Sequence, residues 1–117
     1  MRIISFTKKW DKLHQPEFTT FRYPRRDKDW YVGELVQVYF KNRSPKREKL
    51  GIAEIVGKER RELDGFFKDD RLITEAEAIE DGFNDFADMV AFMEKQYGLD
   101  YISLFNKLAL KWTNPVG

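Results

Sequence analysis

Hydrophobic and polar residues alternate along much of the first half of the chain, and a period of two residues is typical of β-strands. The segments with this pattern are residues 2–7, 18–23, 35–41 and 50–59. The alternation is clearest in 35–41, where Val36, Val38 and Phe40 share one wholly apolar face. A polar loop, residues 42–49, joins the last two segments, so we predict a hairpin there.

The period changes in the second half of the chain. Thr74 and Glu77 have the spacing of a capping box, and Gly82 stands where a C-cap glycine ends a short helix. Apolar residues then recur at helical spacing over residues 84–97, which predicts a second helix that ends at Gly98.

A last strand is predicted over residues 108–112, where apolar residues alternate again. Strands followed by segregated helices favour an α+β fold, or a small barrel with added helices. The chain has 117 residues, of which 42% are hydrophobic and 15% aromatic, and this is the size of one domain with its own core. We therefore predict a single α+β domain over residues 1–117.

The two halves of the chain carry opposite charge, although the net charge is only +1. Residues 1–61 contain 16 Lys and Arg against 8 Asp and Glu, and residues 62–117 contain 5 against 12. A basic half is the electrostatic signature of a protein that binds a polyanion. The alternative is that the two halves attract each other across the fold, and the sequence leaves both interpretations open.

Several classes of site are excluded by composition. The chain has no Cys and only one His, His14, so disulfides, thiolate metal sites, Cys catalysis and multi-histidine metal sites are excluded. We therefore expect no metal and no cofactor. No apolar stretch approaches the roughly 18 residues of a membrane span, and the N-terminus lacks the apolar core of a signal peptide. We expect a cytoplasmic protein without membrane contact.

Cations and aromatic residues are interleaved at the end of the second strand and in the loop after it. They are Arg22, Tyr23, Arg25, Arg26, Lys28 and Trp30. Arginine forks suit phosphates and base edges, and aromatic rings stack on the bases of single-stranded RNA. These residues are therefore our candidate RNA-binding or nucleotide-binding surface. The alternative is a solvated loop whose aromatic rings pack inward.

The predicted hairpin loop is a second basic segment. With Lys41 at the end of the strand before it, the loop forms a basic tip that also contains Arg43, Lys46, Arg47 and Lys49. If RNA binds, this loop is expected to contact only backbone phosphates. A soluble loop that prevents aggregation at the sheet edge is the alternative.

Three segments of the chain, in order, resemble the ASCH family of PUA-like domains. They are residues 18–22 (FTTFR), 31–38 (YVGELVQV) and 73–83 (ITEAEAIEDGF). The resemblance implies a small PUA-like β-barrel of about five to six strands with two short helices in the second half of the chain. It also implies a cleft for RNA or a modified nucleoside, and Thr20 and Asp81 are expected to border it.

Some ASCH proteins are amidohydrolases that act on acylated cytidines, with catalysis attributed to a Lys, a Thr and a Glu. Carried over by motif, the Thr falls on Thr20, the Glu on Asp81 and the Lys on Glu17. These three residues are the catalytic candidates that the resemblance implies. Glu17 has the opposite charge to the family lysine, which argues against retained hydrolysis, unless Lys12 or Arg22 supplies the positive charge.

The sequence thus predicts an RNA-binding or nucleotide-binding domain whose partner is RNA or a modified nucleoside. Two alternatives stay open. One is a nucleoside amidohydrolase that uses Thr20 and Asp81, and the other is a protein-interaction module whose acidic helical half docks a basic partner. The sequence does not decide the base preference or the oligomeric state.

Overall fold

The computed structural model describes residues 1–63, 71–97 and 104–113, which form a mixed α+β arrangement of six strands and two α-helices. The elements are β1 (Arg2–Phe6), β2 (Glu17–Arg22), β3 (Leu35–Phe40), β4 (Glu48–Glu62), β5 (Arg71–Leu72), α1 (Glu75–Asp81), α2 (Phe86–Tyr97) and β6 (Leu104–Trp112), with a 3-10 helix at Asp11–His14. The predicted α+β class, the hairpin and both helices are confirmed. Gly98, the predicted end of the second helix, lies outside the described residues.

The strands form one sheet in the order β1-β3-β4-β6-β2, with the short β5 added beside the end of β4. β1 and β3 run parallel, as do β4 and β5, and the other neighbours are antiparallel. In the described part of the chain, no hydrogen-bonded ladder joins β1 to β2. The six-stranded sheet therefore stays open between its two end strands.

Strand β4 curls because its pairing shifts register twice. One shift lies opposite Val38 and Tyr39, and the other lies between Ile55 and Gly57. Such bulges bend a strand and increase its twist. The first part of β4 pairs with β3 and the later part with β6, and Ala53 and Glu54 pair with both strands.

The core forms from the apolar faces that the alternation predicts. Val36 and Val38 are fully buried, and so are Ala53 and Ile55 across the hairpin. Strand β6 and helix α2 contribute the remaining centre of the core, with Phe105, Leu108, Leu110, Met89 and Met93. Burial on this scale removes most of the large apolar side chains from water, which is the main driving force of folding.

Helix α1 begins at the predicted capping box. The Thr74 hydroxyl accepts from the Glu77 amide at 3.1 Å, and the Glu77 carboxylate accepts from the Thr74 amide at 3.1 Å. The same carboxylate accepts from Arg61 Nε at 2.9 Å and from Lys107 Nζ at 2.8 Å. Glu77 therefore caps the N-terminus of α1 and also bonds the helix to β4 and β6.

These hydrogen bonds lower the pKa of Glu77. Burial acts to raise the pKa, but the hydrogen bonds from Lys107, Thr74 and Arg61 outweigh it and hold the pKa at about 2, below the ordinary 4.5. A carboxyl group whose pKa is lower in the folded than in the unfolded state stabilises the fold when the pH is above its unfolded-state pKa. This stabilisation is lost as the pH falls toward the folded-state pKa.

We expect Glu77→Gln to lower the free energy of unfolding by about 2 kcal/mol at pH 7 and by less at pH 3, because the unfolded carboxyl is already protonated there. Urea unfolding at the two pH values measures both losses. Glu75→Gln, an exposed position in the same helical turn, is the control and should change little. Equal losses for Glu77→Gln at pH 7 and pH 3 would contradict the ionic origin of this stabilisation.

Candidate functional site

A pocket lies where the two end strands of the sheet face each other. The Arg22 guanidinium of β2 stands 4.7 Å above the Phe6 ring of β1, and the rings of Phe6 and Phe18 are 6.2 Å apart. The cavity volume is about 60 Å³. Five elements and their flanks line it. The aromatic residues are Phe6, Trp10, Phe83 and Phe92, and the polar residues include Lys12, Thr20, Arg22 and Asp81.

The pocket contains a buried ion pair. Lys12 Nζ lies 3.0 Å from Asp81 Oδ1, and the two side chains are only 8% and 6% exposed. Lys12 Nζ also donates to the Thr19 carbonyl at 2.7 Å, and the Thr19 hydroxyl donates to Asp81 Oδ1 at 3.3 Å. Among the described residues, both hydrogen bonds to this carboxylate are made at Oδ1, so Oδ2 keeps its acceptor capacity for a ligand or water.

Burial moves the two partners of this pair toward neutrality. It raises the pKa of Asp81 to about 6 from an ordinary 3.8, although the Lys12 ammonium and the Thr19 hydroxyl act to lower it. Burial likewise lowers the pKa of Lys12, and the Asp81 carboxylate opposes that change. A carboxyl group that titrates near pH 6 can accept or release a proton under physiological conditions, which makes the pair suitable for acid–base chemistry.

Two of the predicted binding residues line the same pocket. Arg22 Nε donates to the Thr20 hydroxyl at 3.1 Å, and Thr20 itself is buried. The guanidinium over the Phe6 ring makes a cation–π contact, which helps to hold it at the pocket. Thr20, Arg22 and Asp81 are thus brought together, whereas the hydroxyl that contacts Asp81 belongs to the neighbouring residue, Thr19.

Tight packing positions the segment between β1 and β2 that carries Lys12. Trp112 Nε1 donates to the Leu13 carbonyl at 3.1 Å and so anchors the 3-10 helix. Gly82, the residue after Asp81, has φ 117°, and a Cβ atom there would lie 2.7 Å from the Trp10 ring. Glycine therefore both ends α1 in a left-handed conformation and allows Trp10 to pack against the end of the helix.

The aromatic residues of the predicted strand-loop surface pack inward. Trp30 is only 4% exposed, and the Arg2 guanidinium covers its ring at 4.4 Å. Tyr23 is half-buried and stacks on Phe105 at 4.8 Å between ring centroids. These two rings are therefore engaged in packing and not displayed for base stacking, which is the alternative that the sequence left open.

The cations of that loop lie away from the pocket and among carboxylates. Arg25 pairs with Asp27 at 3.2 Å, and Asp29 accepts from the Arg25 amide at 3.0 Å. Arg26 and Lys28 are exposed, and the Lys28 carbonyl accepts from Arg2, at the first residue of β1. None of the cations of this loop is among the residues that line the pocket with Thr20 and Arg22.

The three catalytic candidates are only partly brought together. Thr20 and Asp81 line the pocket, but Glu17 is exposed at the far end of β2, opposite Lys111 of β6. The cation in the pocket is Lys12, which precedes β2. The sequence offers Lys12 as a source of positive charge, but its place between the apolar residues Trp10 and Leu13 is the only local sign of its burial.

In the described part of the chain, no group of three or more His, Asp and Glu residues is arranged to hold a metal ion. No helix among these residues has the length and apolar character needed to cross a membrane. Comparisons with protein-family models, curated proteins and solved structures find no match to this chain. The resemblance to the ASCH family therefore rests on the three sequence segments alone.

We expect Lys12→Met to raise the pKa of Asp81 further, because burial remains while the ammonium that opposes its effect is removed. A titration of the Asp81 carboxyl carbon by NMR measures this shift. Since the unpaired carboxyl group can take up a proton, the variant should lose less stability at pH 5 than at pH 8. Lys9→Met, which removes an exposed lysine, is the matched control. An unchanged Asp81 pKa in Lys12→Met would contradict the coupling between the two groups.

Proposed function

We propose that this protein binds RNA or a nucleotide and that the pocket between β1 and β2 accepts the edge of one nucleobase. The observation that supports this proposal is a buried donor and acceptor, Lys12 and Asp81, set in an aromatic wall beside Arg22. Binding pockets typically combine an apolar lining with a few convergent polar groups of this kind.

The chemistry of the pocket fits a base edge better than a phosphate. A phosphate oxygen would be attracted by Lys12 and Arg22 but repelled by the ionised Asp81, which lies 3.0 Å from the Lys12 nitrogen. A nucleobase edge presents donors beside acceptors, so Asp81 Oδ2 can accept from the base while a cation donates to it. Trp10 and Phe92 would supply apolar contact to the ring, as aromatic residues do when they bind unpaired bases.

The size of the pocket limits how much of a nucleotide enters. A volume of about 60 Å³ is well below the roughly 300–1,000 Å³ of pockets that enclose a whole drug-sized ligand. The base edge therefore enters, and the sugar and phosphate remain at the surface of the protein. This arrangement is compatible with a free nucleotide and with one unstacked nucleotide of an RNA strand.

We further propose that the fold is a PUA-like β-barrel whose last seam is closed by side chains. The contacts of Phe6 with Phe18 and Arg22 span the gap between β1 and β2, and Lys12 bonds the Thr19 carbonyl across the same opening. Such a seam would complete the barrel without a backbone ladder and would leave room for the pocket.

We expect Arg22→Ala to weaken the binding of at least one nucleoside about tenfold, since a hydrogen bond from a charged group contributes roughly 1.5–3 kcal/mol. Isothermal titration with the common ribonucleosides measures the affinities. Arg26→Ala, which removes an exposed arginine of the neighbouring loop, is the matched control and should leave them unchanged. The pocket proposal fails if both variants bind as the unmodified protein does, or if only Arg26→Ala weakens binding.

Amide hydrolysis on an acylated nucleoside is a second candidate, and the shifted pKa values of Lys12 and Asp81 favour it. In this reaction Asp81 takes a proton from a water molecule, and the hydroxide adds to the amide carbonyl. The bond between the carbonyl carbon and the nitrogen then breaks as the leaving amine takes a proton from Lys12, which yields a carboxylic acid and the free nucleoside amine. Asp81 returns its proton to Lys12, 3.0 Å away, and both groups regain their starting charge. The Thr20 hydroxyl, which accepts from Arg22 Nε, would donate a hydrogen bond to the carbonyl oxygen.

If the second candidate is correct, release of cytidine from an acylated cytidine should rise as the pH increases through about 6, because Asp81 must be ionised to act as a base. We expect Asp81→Asn and Lys12→Met each to slow the release by about a hundredfold, the usual contribution of a general acid or base. Glu17→Gln should leave the rate unchanged. A rate that depends on Glu17 and not on Lys12 would overturn this assignment.

A further inference from the structure

Residues 41–49, which comprise the loop between β3 and β4 and the first two residues of β4, are here called the basic tip and lie directly beside the pocket. The Lys41 amide donates to the Phe6 carbonyl at 2.8 Å, and the Asn42 amide donates to the Ser5 hydroxyl at 3.0 Å. Ser5 and Phe6 are the end of β1, and both line the pocket. A ligand that leaves the pocket over the end of β1 therefore meets the basic tip next.

The charge of the basic tip is strongly positive and largely uncompensated. It contains five cations, Lys41, Arg43, Lys46, Arg47 and Lys49, against one carboxylate, and all five are exposed. The carboxylate, Glu48, pairs with Lys9 at 2.7 Å. None of the five takes part in an ion pair with the described residues. The loop after β2 differs, since Asp27 and Asp29 lie among its cations.

The backbone of the basic tip is held in a defined shape. The Ser44 amide donates to the Lys41 carbonyl at 3.0 Å, and the Arg47 amide donates to the Ser44 carbonyl at 3.0 Å. The Ser44 hydroxyl also accepts from the Lys46 amide at 3.1 Å. Two successive turns therefore present the cations in a fixed arrangement, which lowers the ordering cost when a ligand binds.

We infer that the basic tip is the backbone-binding surface for a single-stranded RNA, one of whose nucleotides places its base in the pocket. This inference rests on the proposed function, because the pocket admits only part of one nucleotide and leaves its phosphate outside. The phosphates that continue along the strand then pass from the end of β1 to exposed cations, among which the one carboxylate, Glu48, is paired with Lys9. A single strand fits because its bases can leave the stack, whereas a base in a duplex is paired and stacked.

The test compares a charge reversal in the basic tip with an equal one elsewhere. Arg43→Glu combined with Lys46→Glu changes two side chains that make no hydrogen bond or ion pair within the described part of the chain. Arg26→Glu combined with Lys28→Glu changes the charge equally on the loop after β2. Fluorescence anisotropy measures binding of a labelled single-stranded RNA of mixed sequence, about ten nucleotides long. Titration calorimetry measures binding of the nucleoside monophosphates, and circular dichroism checks the fold.

We expect the RNA affinity of the basic-tip variant to fall at least about tenfold. The slope of the logarithm of its RNA affinity against the logarithm of the salt concentration should be shallower by about 1.4, or roughly 0.7 for each of the two lost phosphate contacts. Its affinity for mononucleotides should stay within about twofold of the unmodified protein, because base binding occurs in the pocket. The variant of the loop after β2 should bind RNA nearly as the unmodified protein does.

The inference is overturned if the basic-tip variant binds RNA normally, or if both charge reversals weaken RNA binding equally. It also fails if the unmodified protein binds a mononucleotide as tightly as it binds RNA, and the pocket proposal would then survive. RNA binding that depends on the basic tip but is insensitive to Arg22→Ala would instead support the surface and reject the pocket. Absence of binding to either ligand would reject both.

Discussion

The buried ion pair between Lys12 and Asp81 connects the parts of the protein that the sheet itself leaves apart. It joins the segment between β1 and β2 to the end of α1, and Thr19 adds hydrogen bonds to both partners. Taking a charge out of water costs several kcal/mol, so the pair is stable only because each charge is compensated in place. The same compensation leaves buried polar groups in a pocket that is also lined by aromatic residues.

The pocket exists because the sheet is not closed by hydrogen bonds. β1 and β2 follow each other in the chain, yet they lie at opposite ends of the strand order. A ladder between them would bring their backbones to within about 5 Å and leave no space for a ligand. Here side chains such as Phe6 and Arg22 span the opening instead. The site is thus a consequence of the topology, and its chemistry comes from the segment that bridges the gap.

Some of the opposite charges of the two halves of the chain pair with each other inside the fold, whereas others stay exposed. Helix α1 is held to the basic half by Arg61 with Glu77 and by Lys12 with Asp81, so part of the asymmetry is neutralised inside the fold. The basic tip lies far from these pairs in sequence and stays exposed, with Glu48 as its only carboxylate. Attraction between the two halves therefore accounts for the paired residues, whereas the exposed cations of the basic tip are the ones to which we assign the proposed RNA binding.

The sequence by itself determined most of the elements of this protein. The strands, the hairpin, the capping box at Thr74 and the C-cap at Gly82 were predictable because each depends on residues only a few positions apart. The bulged course of β4, the short strand β5 and the parallel pairing of β1 with β3 were not, since no local pattern specifies which strands become neighbours.

The site was decided by tertiary structure. Lys12 and Asp81 are 69 residues apart, and only the folded chain selects this cation rather than one of the others as the partner of the carboxylate. Likewise, the local sequence around Trp30 does not tell whether its ring faces solvent or the core. In the folded chain the ring is buried, and the Arg2 guanidinium packs over it. Burial and charge pairing depend on segments that meet only after folding, so periodicity and composition indicate which residues are available but not which of them meet.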